Sequence, residues 1–345
     1  MRIILDAMGG DNAPDAIILG AARAANELNA ELILVGRGEE LLEALKRQNI
    51  ATLPKGMELA NAEDVVDMHD DPATVIRRRR DSSMVVGLRM LADGVGDAFI
   101  SAGSTGALLS ASSLIVKRIH GIRRAALAPV VPTAEGRCVL IDGGATVECK
   151  PEFLAQFACM GSLFSKSVLG ISEPRVGLLN VGDEDSKGAS LQKEAYALLR
   201  ELDQAGLIHF TGNIEARAVP LGGVDVAVSD GFSGNVLLKT MEGTAQFMSQ
   251  RIKKIFTKNP LTKLGALFCK SGLEEFKAMS DYRTVGGTPL LGISKPIIKA
   301  HGSSDQLAIF HAARQAIDAV RNDLAGMIRD NIDQMNITKE RSNVE

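Results

Sequence analysis

Five stretches of small and polar residues hold the groups that could do chemistry in this chain. They are Asp6-Ala-Met-Gly-Gly-Asp-Asn-Ala-Pro14, Ser101-Ala-Gly-Ser-Thr-Gly106, Asp142-Gly-Gly-Ala145, Asn180-Val-Gly-Asp-Glu-Asp-Ser-Lys-Gly188 and Ser229-Asp-Gly-Phe-Ser-Gly-Asn235. Glycine lets main-chain N–H groups come close to an anion, and a helix N-terminus behind such a loop adds a favourable dipole. Each stretch directly follows a short apolar run, so the loops lie where strands end. One such loop is explained by a tight turn. Five in the same relation to their strands point to a binding site for a phosphate-sized anion.

Other chemistries find little support. Gly182–Gly188 contains a lysine but lacks the G-K-[ST] ending of a nucleotide-binding loop, and no loop after a strand reads G-x-G-x-x-G. Gly231-Phe-Ser233-Gly234 lacks the G-x-S-x-G spacing of a nucleophile elbow and reads as a turn. Cys149 beside Lys150 could be an activated thiol, although such a cysteine is more often a small packing residue. The four cysteines show no zinc spacing and the five histidines form no ligand pair, so neither metal nor cofactor is expected.

The elements that must position these loops alternate along the chain. Ile3–Leu5, Leu32–Val35, Ala98–Ile100, Val139–Ile141, Val176–Leu179 and Val224–Val228 read as buried strands. Between them lie amphipathic helices, the first with Pro14 near its start and Ile17, Ile18, Ala21, Ala25 and Leu28 on one face. Such alternation implies parallel strands with right-handed crossovers in a doubly wound sheet, whose strand ends share one edge. With aromatic residues at 4%, no Trp and a net charge of -3, nucleic acid is not an expected partner. No signal peptide and no run of ~18 apolar residues is present, so a soluble cytoplasmic protein is expected.

At these loops the sequence resembles the phosphate acyltransferase (PlsX) family. The resemblance runs from Leu5–Asp11 through Ser101–Leu108, Asp142–Ala145 with Lys150-Pro151, Gly177–Gly182 with Lys187-Gly188, and Gly212–Arg217. It continues through Ser229–Val236 with Lys239-Thr240, Gly286-Gly287 with Leu290–Gly292, and Lys299–Ser304. The chain departs from the family pattern at Asn12, where His is usual, and at Ser104 and Thr146, where Asn is usual. The resemblance implies a three-layer α/β/α fold with a mostly parallel sheet, like that of phosphotransacetylases and the isocitrate dehydrogenase group. It also implies transfer of an acyl group from acyl carrier protein to inorganic phosphate, by a homodimer. The rivals are a phosphotransacetylase using acyl-coenzyme A and a noncatalytic acyl-phosphate-binding regulator.

That chemistry needs positioning, countercharge and an oxyanion donor more than an activated nucleophile. Lys187 is the expected phosphate countercharge and Asn235 the donor, with Asn180 behind them. Against this stands a solvated Lys187 paired locally within Asp183-Glu184-Asp185. Gly9, Gly10, Gly103, Ser104 and Thr105 would contact phosphate or substrate, with Lys239 and His301 contributing. Asp142 and Asp230 would orient Lys187 or cap helices. The run Arg77–Arg80 and the cluster Arg118, Arg123 and Arg124 suit a carrier-protein surface, although a run of four arginines is usually a solvated helix face.

Residues 1–334 are expected to form one α/β/α domain, with residues 335–345 a flexible tail. Within the domain, 241–279 reads as a basic amphipathic helical hairpin. Met241, Ala245, Met248, Ile252, Ile255 and Phe256 share one face, Asn259-Pro260 breaks the pattern, and Leu261, Leu264, Leu267 and Phe268 follow. Six basic and no acidic residues lie from Arg251 to Lys270, so with a net charge of -3 on the whole chain the remainder carries -9. Such a hairpin suits an anionic membrane surface, or else a dimer contact.

Overall fold

The computed structural model describes residues 1–280 and 286–335. The six apolar runs are all strands, and the described residues contain twelve in total. These are β1 (Arg2–Asp6), β2 (Glu31–Gly36), β3 (Met57–Asn61), β4 (Ala98–Ser101), β5 (Ala126–Leu127) and β6 (Val130–Thr133). There follow β7 (Gly136–Ile141), β8 (Arg175–Asn180), β9 (His209–Glu215), β10 (Val226–Val228), β11 (Thr288–Leu291) and β12 (Ile297–Lys299).

They form two sheets. One has seven strands in the order β3-β2-β1-β4-β12-β11-β5, and the other five in the order β6-β7-β10-β8-β9. Within them β11 pairs antiparallel with β12 and β5, and β6 with β7; the other pairings are parallel. The single edge expected from strand–helix alternation therefore becomes two. Two of the five glycine-rich loops follow β1 and β4, and three follow β7, β8 and β10.

Burial explains the layers. Every residue of β4 and β10 is buried, as are Ile3–Asp6 of β1, because helices cover both faces. On one face of the seven-stranded sheet the helices Asp15–Leu28 and Gln306–Arg321 bury Ile17, Ile18, Ile309 and Ile317; on the other, Ser83–Ala92 and Thr105–Ala111 bury Met84, Leu88 and Leu108. The five-stranded sheet is covered on one face by Pro151–Val168 and Ser190–Gln204. Its other face is closed by Val219, Val224 and Leu237, the last on the 26-residue helix Gly231–Phe256.

The chain passes between the sheets at β5 and β6, where Gly143 N donates to Leu127 O at 2.8 Å and Leu140 N to Pro129 O at 2.9 Å. This crossing brings the end of β7 against the edge strand of the other sheet.

Two further regions bear on the sequence expectations. Met335, taken as the first residue of a tail, is 5% exposed on the short helix Ile332–Met335 and packs into the core with Phe157 and Ile328. An apolar side chain at the end of a helix that docks on a neighbour is buried, whatever its distance from the terminus. Residues 336–345 lie outside the described residues. Residues 241–279 comprise the distal part of the helix Gly231–Phe256, then Pro260–Phe268 and Lys270–Ser280. Asn259 caps the second of these through a capping box with Thr262.

Met335→Ala should lower stability by about 2–3 kcal/mol, the cost of a cavity in a packed core. Urea unfolding checks this, and an unchanged midpoint would assign Met335 to a dispensable end.

Candidate active site

Each parallel edge is organised by a buried aspartate at a strand end. Asp6 closes β1 and is 2% exposed. Its Oδ1 accepts from Ser83 Oγ at 2.6 Å and Met8 N at 3.3 Å, and its Oδ2 accepts from Ser101 Oγ at 2.7 Å. Burial raises its pKa above the ordinary value, while these bonds and one from the Gly9 amide act the other way. Ser101 Oγ in turn accepts from Gly103 N at 3.0 Å. The glycines are required by close approach: a Cβ on Gly9 would stand 2.6 Å from Asp6 Oδ2 and 2.7 Å from Gly103 N. Gly10 has φ +101°.

Asp142 does the same beyond β7. It is fully buried, and Leu127 N, Gly144 N, Ala145 N and Thr146 N all donate to its carboxylate, the shortest at 2.6 Å from Thr146. Burial again raises its pKa, opposed by these amides. Two of the five loops read from the sequence as anion sites, those after β1 and β7, thus turn main-chain amides toward the protein's own carboxylates. Asp142 shapes a loop and makes no contact with Lys187, and Asp230 caps the long helix by accepting from Ser233 N at 2.8 Å. Ser104 caps Thr105–Ala111, and Thr105 opens that helix.

The departures from the family pattern have structural partners. Asn12 Nδ2 donates to the carbonyls of Ser303 and Ser304 at 3.1 and 3.2 Å, tying the β1 loop to the β12 loop. Thr146 Oγ1 donates to Ala125 O at 3.4 Å, and Thr146 O accepts from Gly231 N at 2.8 Å.

The long helix joins the two edges. Asn235, in its second turn, lies against Gly144 of the Asp142 loop. Lys239 stands four residues on, on the same face and about 6 Å further along the axis. It pairs with Glu242 at 2.8 Å, and its charge reaches His301 and Lys299 at the end of β12. His301 Nδ1 contacts Ser303 Oγ at 2.8 Å; desolvation and the Lys239 charge hold its pKa below the ordinary value.

Asn180 ends β8, which neighbours β10, and Lys187 stands on the loop after it. Asn180 Nδ2 donates to Lys187 O at 3.2 Å, and the Lys187 ammonium lies 3.5 Å from Glu184 with its side chain 48% exposed. The local pairing weighed against Lys187 is present, and no hydrogen bond or ion pair joins it to Asn235.

Cys149 is no activated nucleophile. Its thiol donates to Thr146 O at 3.3 Å, and burial, with the Asp142 charge, pushes its pKa up to about 12. Sequence reasoning did not single out Asp6 or Lys299, both buried or partly buried at this edge. The signal for Lys299 was a lysine closing the apolar pair Ile297-Ile298 just before Ala300-His-Gly-Ser-Ser304, a sixth strand-and-loop unit.

Asp142→Asn places an amide donor against Gly144–Thr146 donors. It should cost about 2 kcal/mol or more and accelerate amide hydrogen exchange across 143–146. Unchanged exchange there would show that the carboxylate does not hold the loop.

The family described as fatty acid synthesis protein matches residues 1–327. A phosphate acyltransferase of Desulfitobacterium hafniense (strain DSM 10664 / DCB-2) is 45% identical over 341 residues, covering 99% of this chain and 100% of that one. One of Geobacillus thermodenitrificans (strain NG80-2) is 46% identical over 331 residues, with 95% and 98% covered. Among solved structures, a phosphotransacetylase from Streptococcus pyogenes superposes with TM-score 0.61 at 19% identity, covering 94% of each chain. A branched-chain phosphotransacylase from Enterococcus faecalis V583 does so with TM-score 0.54 at 14% identity, covering 93% of this chain and 99% of that one. These two likenesses concern the fold, which they share as a mixed α/β architecture of mostly parallel sheets. With identities of this size over nearly its whole length, the chain belongs to the phosphate acyltransferase family of fatty acid synthesis proteins.

Proposed function

We propose that the chain transfers a fatty acyl group from acyl carrier protein to inorganic phosphate, releasing acyl phosphate for phospholipid synthesis. The observation that carries this reading, beside the family, is the Asn235–Lys239 face, a neutral donor and a cation one turn apart between the two edges. A phosphate oxygen attacks the thioester carbonyl, the C–O bond forms, and the C–S bond breaks. The pantetheine sulfur leaves as thiolate and takes a proton from solvent. Phosphate is largely dianionic at neutral pH and a thiol is a good leaving group, so neither needs a triad. Asn235 donates to the developing oxyanion, where one donor contributes about 3 kcal/mol. Asn180, at the end of β8, and Lys187, on the loop after it, would assist from the strand beside β10. With the Cys149 thiol held protonated, the reaction runs in a ternary complex without an acyl-enzyme.

The carrier protein is acidic in this reading and docks on basic surface. Arg77, Arg78 and Arg80 are exposed near the start of Thr105–Ala111, where Pro72 approaches Gly106. Arg79 is instead committed to Asp64 and Asp70. Arg124 lies close enough to Cys149 to place its charge at the β7 loop.

Assay of free thiol after mixing pure protein, acyl carrier substrate and phosphate tests the reading. Lys187→Ala and Asn235→Ala should each lower turnover at least about ten-fold, while Cys149→Ala keeps most activity. Normal turnover in the first two removes them from the site. An acylated cysteine or serine seen by mass spectrometry rejects the ternary complex, and preference for acyl-coenzyme A favours the phosphotransacetylase reading.

The helices beyond Met241 fit a peripheral place on an anionic membrane, where acyl phosphate would be released beside its next reaction. No helix among the described residues is long and apolar enough to cross a membrane. Yet no residue of the long helix past Leu237 is buried, and Leu261 and Phe268 are 80% and 84% exposed beside Lys253, Lys254, Lys258 and Lys263. Apolar burial in the headgroup layer plus about 1 kcal/mol per basic residue supports such binding. Wild type should sediment with anionic vesicles in a salt-sensitive way, and Leu264→Glu or Lys253→Glu/Lys254→Glu should abolish this while a dimer persists. If wild type stays in the supernatant, or Leu264→Glu yields monomers, the helices form the dimer contact instead.

A further inference from the structure

The helix-borne Lys239 and the loop-borne His301 converge on a third basic group, Lys299, which closes β12. Strand pairing sets Lys299 beside Ser101, so its side chain rises between the β4 and β12 loops. Its Nζ donates to Ala102 O at 3.3 Å and to Ala300 O, leaving one N–H unspent. The charged groups acting on it are Asp6 and Asp11 on the β1 segment, Lys239 on the long helix and His301 on its own loop, while Glu242 acts on His301 and pairs with Lys239. Asp6 is already committed to Ser83 and Ser101, and Glu242 to Lys239. Burial and the Lys239 charge disfavour the Lys299 ammonium more than the Asp6 and Asp11 carboxylates favour it, and a dianion arriving between the two lysines offsets that cost. In the nearby glycine loops the Gly9 and Gly103 amides serve Asp6 and Ser101.

We propose that Lys299 is a phosphate-binding residue, the partly buried countercharge that holds the inorganic phosphate co-substrate at the β1-β4-β12 edge, facing Lys239 and His301. This rests on the acyltransferase reading for the identity of the anion and adds where it is held. Phosphate here lies beside Lys239, one helical turn from Asn235, so the nucleophile and the oxyanion donor share one helix face.

Desolvation, with the charge of Lys239, lowers the Lys299 pKa to about 8, against Asp6 and Asp11, which raise it. A dianion arriving beside it favours the ammonium form, so phosphate binding above pH 8 carries a proton onto Lys299. A lysine that merely straps the ends of β4 and β12 together would not couple in this way.

The test is isothermal calorimetry of inorganic phosphate at pH 8.5, repeated in buffers of different ionisation enthalpy, where phosphate is dianionic and His301 neutral. Wild type should take up a substantial fraction of a proton per phosphate. Lys299→Arg, charged throughout, should bind phosphate without proton uptake. Lys299→Met should bind at least ten-fold more weakly, and in the thiol-release assay raise KM for phosphate with KM for the acyl donor unchanged. Buffer-independent heat in wild type, no phosphate binding by wild type, or wild-type affinity in a folded Lys299→Met protein would overturn the proposal. Should Lys299→Met not fold, the wild-type and Lys299→Arg titrations decide. Proton-linked phosphate binding in a wild type that releases no thiol would keep the assignment and reject the acyltransferase reading.

Discussion

A carboxylate removed from water must be met by donors, and this protein builds each half of its active edge around that requirement. Asp6 and Asp142 are buried at the ends of β1 and β7, and the loops that follow turn back so that amides and hydroxyls point at them. Burial raises both pKa values, so the native state keeps these protons to higher pH than the unfolded chain does. The stability each group contributes is therefore greatest below its unfolded pKa and is lost as pH rises through the folded one. The loops are held in one shape by this pull on their donors, and glycine is needed where backbone must pass within contact of a carboxylate.

Because those cradles are filled from within, an external anion must be met by side chains carried on other elements. In the proposed site the long helix supplies them. Asp230 caps it beside the Asp142 loop, Leu237 anchors it in the core of the five-stranded sheet, and Lys239 emerges toward the β12 loop of the other sheet. One helix thereby spans both edges, and the rest of its length runs out past the protein body with apolar and basic residues exposed.

Much of this was legible in the sequence. All six apolar runs are strands, and each glycine-rich loop follows one, because buried parallel strands leave an unbroken apolar signature. Division into two sheets was not legible, since apolar runs mark strands but not their neighbours. The short β12 was missed because Ile297-Ile298 is too brief a run to stand out after Pro296. The roles of the glycines were only partly legible. A Gly-Gly pair after a strand says that amides will be gathered around an anion, but not whether that anion is a ligand or the aspartate one or three residues before the pair. Lys187 illustrates the same limit: spacing placed it on the right kind of loop, while its pairing with Glu184 depends on how that loop folds.

The central claim is that the internal carboxylates keep their loops and the external phosphate sits among cations. A crystal structure of the protein with phosphate or a non-hydrolysable acyl phosphonate tests it most directly. The account predicts the anion between Lys239, Lys299 and His301, with Asp6 and Asp142 still holding their amides. An anion seated within 143–146 with the Asp142 carboxylate displaced, or one bound at the β8 loop on Lys187 alone, would contradict it.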